Sequence, residues 1–150
     1  MIQRIQTIYL LLVLICLSLV FAFPFATYTV AEQNYTFDVM GFTYNGANQV
    51  KFPFYVAALV IVLLTLFTIL KYKNRKLQLK LGRINYLLLL VVIALSFVNV
   101  RTIEDSFGEV VSVSFGIGLF LPVAALAFLF LANRSIKKDE ELIKSLDRLR

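Results

Sequence analysis

Ile5-Gln6-Thr7-Ile8-Tyr9-Leu10-Leu11-Leu12-Val13-Leu14-Ile15-Cys16-Leu17-Ser18-Leu19-Val20-Phe21-Ala22-Phe23 holds no Asp, Glu, Lys or Arg. About 20 apolar residues rising ~1.5 Å each are enough for a helix to cross a ~30 Å hydrocarbon core, so this run predicts a membrane span. Arg4 bounds it on one side, and the next charged residue after it is Glu32. Working outward, three further uncharged stretches bounded by charge read the same way: about 53–70 before Lys71, 84–100 between Arg83 and Arg101, and 110–132 between Glu109 and Arg134. Pro53 suits the first turn of a helix, where its missing N–H costs nothing. An ionised side chain at mid-span costs roughly 2.5–3.5 kcal/mol on insertion scales, which makes the pattern meaningful. The expectation is one all-α membrane domain, 1–150, built as a bundle of four transmembrane helices with an extracytoplasmic loop at 24–52 and a cytoplasmic tail at 133–150.

Composition supports a lipid-solvated chain: 60% of the 150 residues are hydrophobic, and the mean hydropathy is +0.84. With one Cys and no His, disulfide frameworks are excluded and the commonest metal ligand and acid/base group are missing, so no metal or cofactor is expected. The charge of +6 could point to nucleic acid, but the distribution argues for topology. Thirteen of the 15 Lys and Arg lie at Arg4, between Lys71 and Arg83, or from Arg134 onward, and only Lys51 and Arg101 fall elsewhere. The positive-inside rule then places both termini and the middle loop in the cytoplasm. Tyr28 and Tyr55 fall near the outer boundary, and Tyr9, Tyr72 and Tyr86 near the inner one, where amphipathic rings favour the interface. A secretory signal peptide is the competing reading of the first run. Its apolar length and the lack of an Ala-x-Ala site favour a retained span.

The 24–52 loop alternates as strands do in Thr27-Tyr28-Thr29-Val30 and from Tyr35 to Met40, and Tyr44-Asn45-Gly46 reads as a turn. A small antiparallel sheet is expected there, acting as a lid over the helices or as a recognition surface. Asn85, Ser96 and Asn99 share one face of the third run, and Ser114, Gly118 and Pro122 share one face of the fourth. Both are candidate helix-packing or interaction surfaces, with a bend expected at Pro122 because it cannot donate to the Gly118 carbonyl. No charged residue lies deep in a run, and the isolated Ser residues have no base, so no catalytic residue is expected.

Lys71, Lys73, Arg75, Lys76, Lys80 and Arg83 form a basic inner-leaflet patch suited to anionic lipid headgroups. Ribosome or other RNA contact is disfavoured, because no stacking platform accompanies the charge. The tail from Lys137 reads as an amphipathic cytoplasmic helix with Ile136, Ile143, Leu146 and Leu149 on one docking side and Glu140 placed to pair with Lys144.

The opening Met1-Ile2-Gln3-Arg4-Ile5-Gln6-Thr7-Ile8-Tyr9-Leu10 and the close Asn133-Arg134-Ser135-Ile136-Lys137-Lys138-Asp139-Glu140-Glu141-Leu142, ending Asp147-Arg148-Leu149-Arg150, resemble a Bacteroidota family of small four-span membrane proteins, domain of unknown function 4293. The resemblance covers essentially the whole chain and implies a bacterial inner membrane. It implies no activity and no site residues. The expected role is a non-catalytic accessory or scaffold subunit of a membrane complex, and the alternative is a small self-associating channel or carrier for a neutral or lipid-like solute.

Overall fold

The computed structural model describes residues 2–30, 33–44, 47–49, 54–72, 74–107 and 112–148. Along the chain run α1 (Ile2–Leu19), β1 (Ala26–Val30), β2 (Gln33–Asp38), β3 (Gly41–Tyr44), β4 (Ala47–Gln49), α2 (Phe54–Leu70), α3 (Arg75–Phe107), β5 (Ser112–Phe115) and α4 (Ile117–Arg148). The expected turn residues Asn45 and Gly46, the expected start at Pro53 and the Glu109–Val110 boundary lie outside the described residues.

The four-span bundle expected from the apolar runs is corrected. Among the described residues two helices are long and apolar enough to cross a membrane, Arg75–Ser106 and Ile117–Ile143, at mean hydropathies of 2.1 and 1.8. The other apolar segments, Ile5–Leu19 and Phe54–Leu70, are shorter. Two local causes account for the difference. The residue before a proline is pushed out of the α region, so Pro24 ends the first helix early and leaves Val20–Phe23 in a turn. The start of the expected fourth span is a strand: β5 pairs antiparallel with β1, Ala26 opposite Phe115 and Tyr28 opposite Val113. At the other end both long helices overrun the apolar stretches, since no proline lies between Arg75 and Arg83 or between Asn133 and Arg148. The basic loop from Arg75 and the tail are therefore continuous with α3 and α4.

The helices pack as a ring, α1 against α4, α4 against α3, α3 against α2 and α2 against α1. Leu10, Val13 and Leu17 of α1, Ile61 of α2, Leu89 of α3 and Leu129 of α4 fill its middle. At one end sits a five-stranded antiparallel sheet in the order β4-β3-β2-β1-β5. Isolated hairpins are marginal in water, so this sheet depends on the apolar face it lays on the helices. Phe25, Phe37 and Phe54 meet edge to face with ring centroids 5.3–5.8 Å apart, joining the sheet to the start of α2. Tyr28 is completely buried and donates its hydroxyl to the Val100 carbonyl of α3 at 3.0 Å. It is thus a core residue, contrary to its expected place at a lipid interface. Burial and the nearby Glu104 charge push its phenol well above the usual range. The β2–β3 turn closes on the Asp38 carboxylate, which accepts from the Met40 and Gly41 amides at 2.7 and 3.1 Å, with Gly41 at φ 131°.

Candidate functional site

Apart from Ser96, the buried polar side chains of the helices gather toward the end opposite the sheet. Gln6 of α1 reaches across to α4, donating to the Asp139 carboxylate and to the Ser135 carbonyl at 3.3 Å. Arg75 of α3 donates to the Asp139 carbonyl at 3.3 Å, so three helices converge on one residue. Asp139 reads as part of a solvated tail in the sequence, yet only 4% of it is exposed. Its Oδ1 accepts no hydrogen bond among the described residues. A buried carboxylate is costly unless hydrogen-bonded, which makes Gln6 the critical donor.

One step further in, Gln78 donates to the Thr68 carbonyl at 3.2 Å and Asn85 to the Thr65 hydroxyl at 2.7 Å, tying α3 to α2. Asn133 of α4 donates to the Gly82 carbonyl of α3 at 3.1 Å. Gly82 permits this approach: a Cβ there would lie 1.9 Å from the Asn133 side-chain oxygen. Buried polar groups in a bundle are stabilised by hydrogen bonds, which these three residues make across helices.

A family model described as a domain of unknown function (DUF4293) matches residues 2–149. The chain belongs to the DUF4293 family. Comparison with curated proteins and with solved structures gives no match. The DUF4293 assignment carries no activity, so the site is described by its own chemistry.

In this DUF4293 chain the stripe read along α3 divides. Asn85 makes the interhelical bond to Thr65, whereas Ser96 and Asn99 bond back to their own helix, at the Val92, Ile93 and Leu95 carbonyls. The stripe read along the fourth run divides as well. Ser114 is exposed on β5, while Gly118 and Pro122 are buried in α4, which is continuous through Pro122. A Cβ at Gly118 would lie 2.3 Å from the Phe23 carbonyl oxygen and 2.6 Å from that of Pro24, and its amide donates to the Pro24 oxygen at 3.1 Å. Gly118 is therefore where the start of α4 seats on the turn after α1.

Of the basic patch, Lys71, Lys76, Lys80 and Arg83 are exposed and Arg75 is half-buried against α4. Lys73 lies outside the described residues. Arg134, Lys137 and Lys138 are exposed on α4 at the same end. The proposed docking side of the tail does not form a single face: Ile136 is fully buried in the bundle and Ile143 is 40% exposed. The Leu146 side chain and Leu149 lie outside the described residues. Gln6 and Asp139 escaped the sequence reading. The signal for Gln6 was a carboxamide set near the start of an otherwise apolar run. Asp139 carries none, because an acidic residue among lysines reads as surface.

Proposed function

We propose that this DUF4293 protein is a non-catalytic accessory or scaffold subunit of a membrane-protein assembly in a bacterial inner membrane, with its basic end at the cytoplasmic face. The observation that carries the reading is how the interior polar groups are used. Gln6, Gln78, Asn85 and Asn133 donate to neighbouring helices, which is the chemistry of a braced bundle. Among the described residues no three His, Cys, Asp or Glu are grouped to hold a metal ion. The outward faces are strongly apolar, with Leu87, Val91 and Val98 of α3 and Phe120 and Phe130 of α4 all more than half exposed. Such faces suit lipid or a partner's helices.

Mild detergent extraction of the tagged full chain at native expression, followed by affinity capture, is expected to recover a membrane partner in fixed stoichiometry. Recovery of a lone monomer, or solute flux through liposomes holding the purified chain alone, overturns the reading.

The orientation rests on charge. Exposed Lys76, Lys80 and Arg83 at the start of α3 and Arg134, Lys137 and Lys138 late in α4 meet at one end, as the positive-inside rule requires of a cytoplasmic face. A membrane-impermeant thiol reagent applied to intact cells should label M40C in the β2–β3 turn and leave K80C untouched, in a background where Cys16 is replaced by Ala. Labelling of K80C from outside refutes the orientation.

A further inference from the structure

The geometry points to an anionic phospholipid site on the outer side of α2, with an acyl chain in its apolar groove and the headgroup held by Lys71. The groove is lined by Val60, Leu63, Leu64, Leu66, Phe67 and Leu70, and its volume is about 560 Å³. It is a shallow, largely open groove on the face of one helix, and no polar surface lines it. Leu70, at its end, is 72% exposed and Leu63 is 55% exposed, so the groove offers an aliphatic chain a large apolar surface to lie on.

Charge is what selects the occupant. The groove runs along α2 to its last residue, and the next residue, exposed Lys71, holds its ammonium 5.1 Å from the centroid of the Phe67 ring, one of the groove's own walls. This contact sets a cation at the mouth of an aliphatic channel. The chain then reverses within a tight turn, in which the Asn74 amide donates to the Lys71 carbonyl at 2.9 Å. Asn74 in turn caps α3 through its side chain, which accepts from the Leu77 amide at 3.1 Å. Lys76, exposed in the first turn of α3, adds a second exposed cation close in the chain. A long apolar tail joined to a negative headgroup matches this order of apolar wall followed by cation. A zwitterionic headgroup sets a choline cation beside its phosphate and so brings Lys71 no net counter-charge, and a second copy's apolar helix brings none at all. The site stands whether or not the chain has a protein partner.

The test uses the full chain in a non-denaturing detergent, mixed with equal amounts of phosphatidylglycerol and phosphatidylcholine bearing the same acyl chains, with bound lipid counted by native mass spectrometry. Phosphatidylglycerol should exceed phosphatidylcholine by about fivefold or more, the factor that one Lys near an anionic headgroup supplies. Lys71→Gln should remove about that fivefold preference and leave phosphatidylcholine binding unchanged. Leu63→Trp, filling the groove from its exposed side, should lower both lipids together. Arg101→Gln serves as the control for overall charge: its side chain is 73% exposed and it lies at the opposite end of α3. Equal binding of the two lipids by the unaltered chain overturns the site, as does an equal loss in Lys71→Gln and Arg101→Gln. A lipid-free dimer abolished by Leu63→Trp assigns the groove to a second copy and overturns it too. All three side chains are exposed, so none of the variants disturbs the core.

Discussion

Tyr28→Ala is expected to destabilise the full chain by about 3–5 kcal/mol, the range found when a buried aromatic is truncated to alanine. Tyr28 is the largest completely buried side chain among the described residues, packed from β1 against α3, and its ring lies 6.1 Å from Phe42. Tyr28→Phe keeps the ring and removes the hydroxyl bond to Val100, so it should cost about 1 kcal/mol. Denaturant unfolding in detergent, followed by far-ultraviolet circular dichroism and limited proteolysis of the sheet, separates the two. A Tyr28→Ala loss no greater than that of Tyr28→Phe removes the sheet's claim to be part of the core. The phenol adds a pH signature. Its folded pKa is raised, so the folded state keeps the proton when the unfolded chain begins to release it near pH 10. That contribution to stability is fully present below about pH 10 and is lost as pH rises further, whereas Tyr28→Phe lacks this component of the alkaline decline.

Gly118→Ala should be destabilising by about 1–3 kcal/mol, although alanine is the better helix former. The added methyl meets two main-chain carbonyl oxygens, those of Phe23 and Pro24, at 2.3 and 2.6 Å, and the backbone turn there has no side-chain freedom with which to yield. Gly82→Ala is the informative contrast. Its methyl meets the side chain of Asn133, which can swing away at the cost of one hydrogen bond of about 1 kcal/mol. The roughly 0.8–1 kcal/mol gained in helix propensity nearly offsets this, and the net change should lie close to zero. The same unfolding measurement decides both, and a Gly118→Ala variant as stable as Gly82→Ala would show that the turn after α1 is not a rigid seat.

These positions show where the sequence was readable. Alternation in Thr27–Val30 and Tyr35–Met40 marks strands, and both segments overlap β1 and β2. The long uncharged runs mark the middle of α3 and most of α4, because a helix of that length leaves a period-independent signature in lipid. Run length alone misjudged the other segments. Val111-Ser112-Val113-Ser114-Phe115 alternates as a strand does, but its apolar content also extends the following run, and a short apolar stretch does not reveal which of the two it will become. Pro24 was visible throughout, and its veto on a helical Phe23 outweighs the four apolar residues before it. The site was the least legible part. Asn85 could be placed on an inward stripe, but its partner Thr65, and the pairing of Gln6 with Asp139, depend on which helices become neighbours. One helix's periodicity does not encode that choice.

The pairing of Gln6 with Asp139, 133 residues apart, together with the seating of Gly118 on the turn after α1, fastens the first helix to the last at both ends. A ribosome adding about 5–20 residues per second makes that first helix on the order of 10 s before its principal neighbour emerges. Throughout that interval the nascent α1 lacks the helix that later covers its carboxamide. Assembly of this protein is therefore a closing of the circle by its final segment, and a chain cut short before Asp139 has no way to complete it.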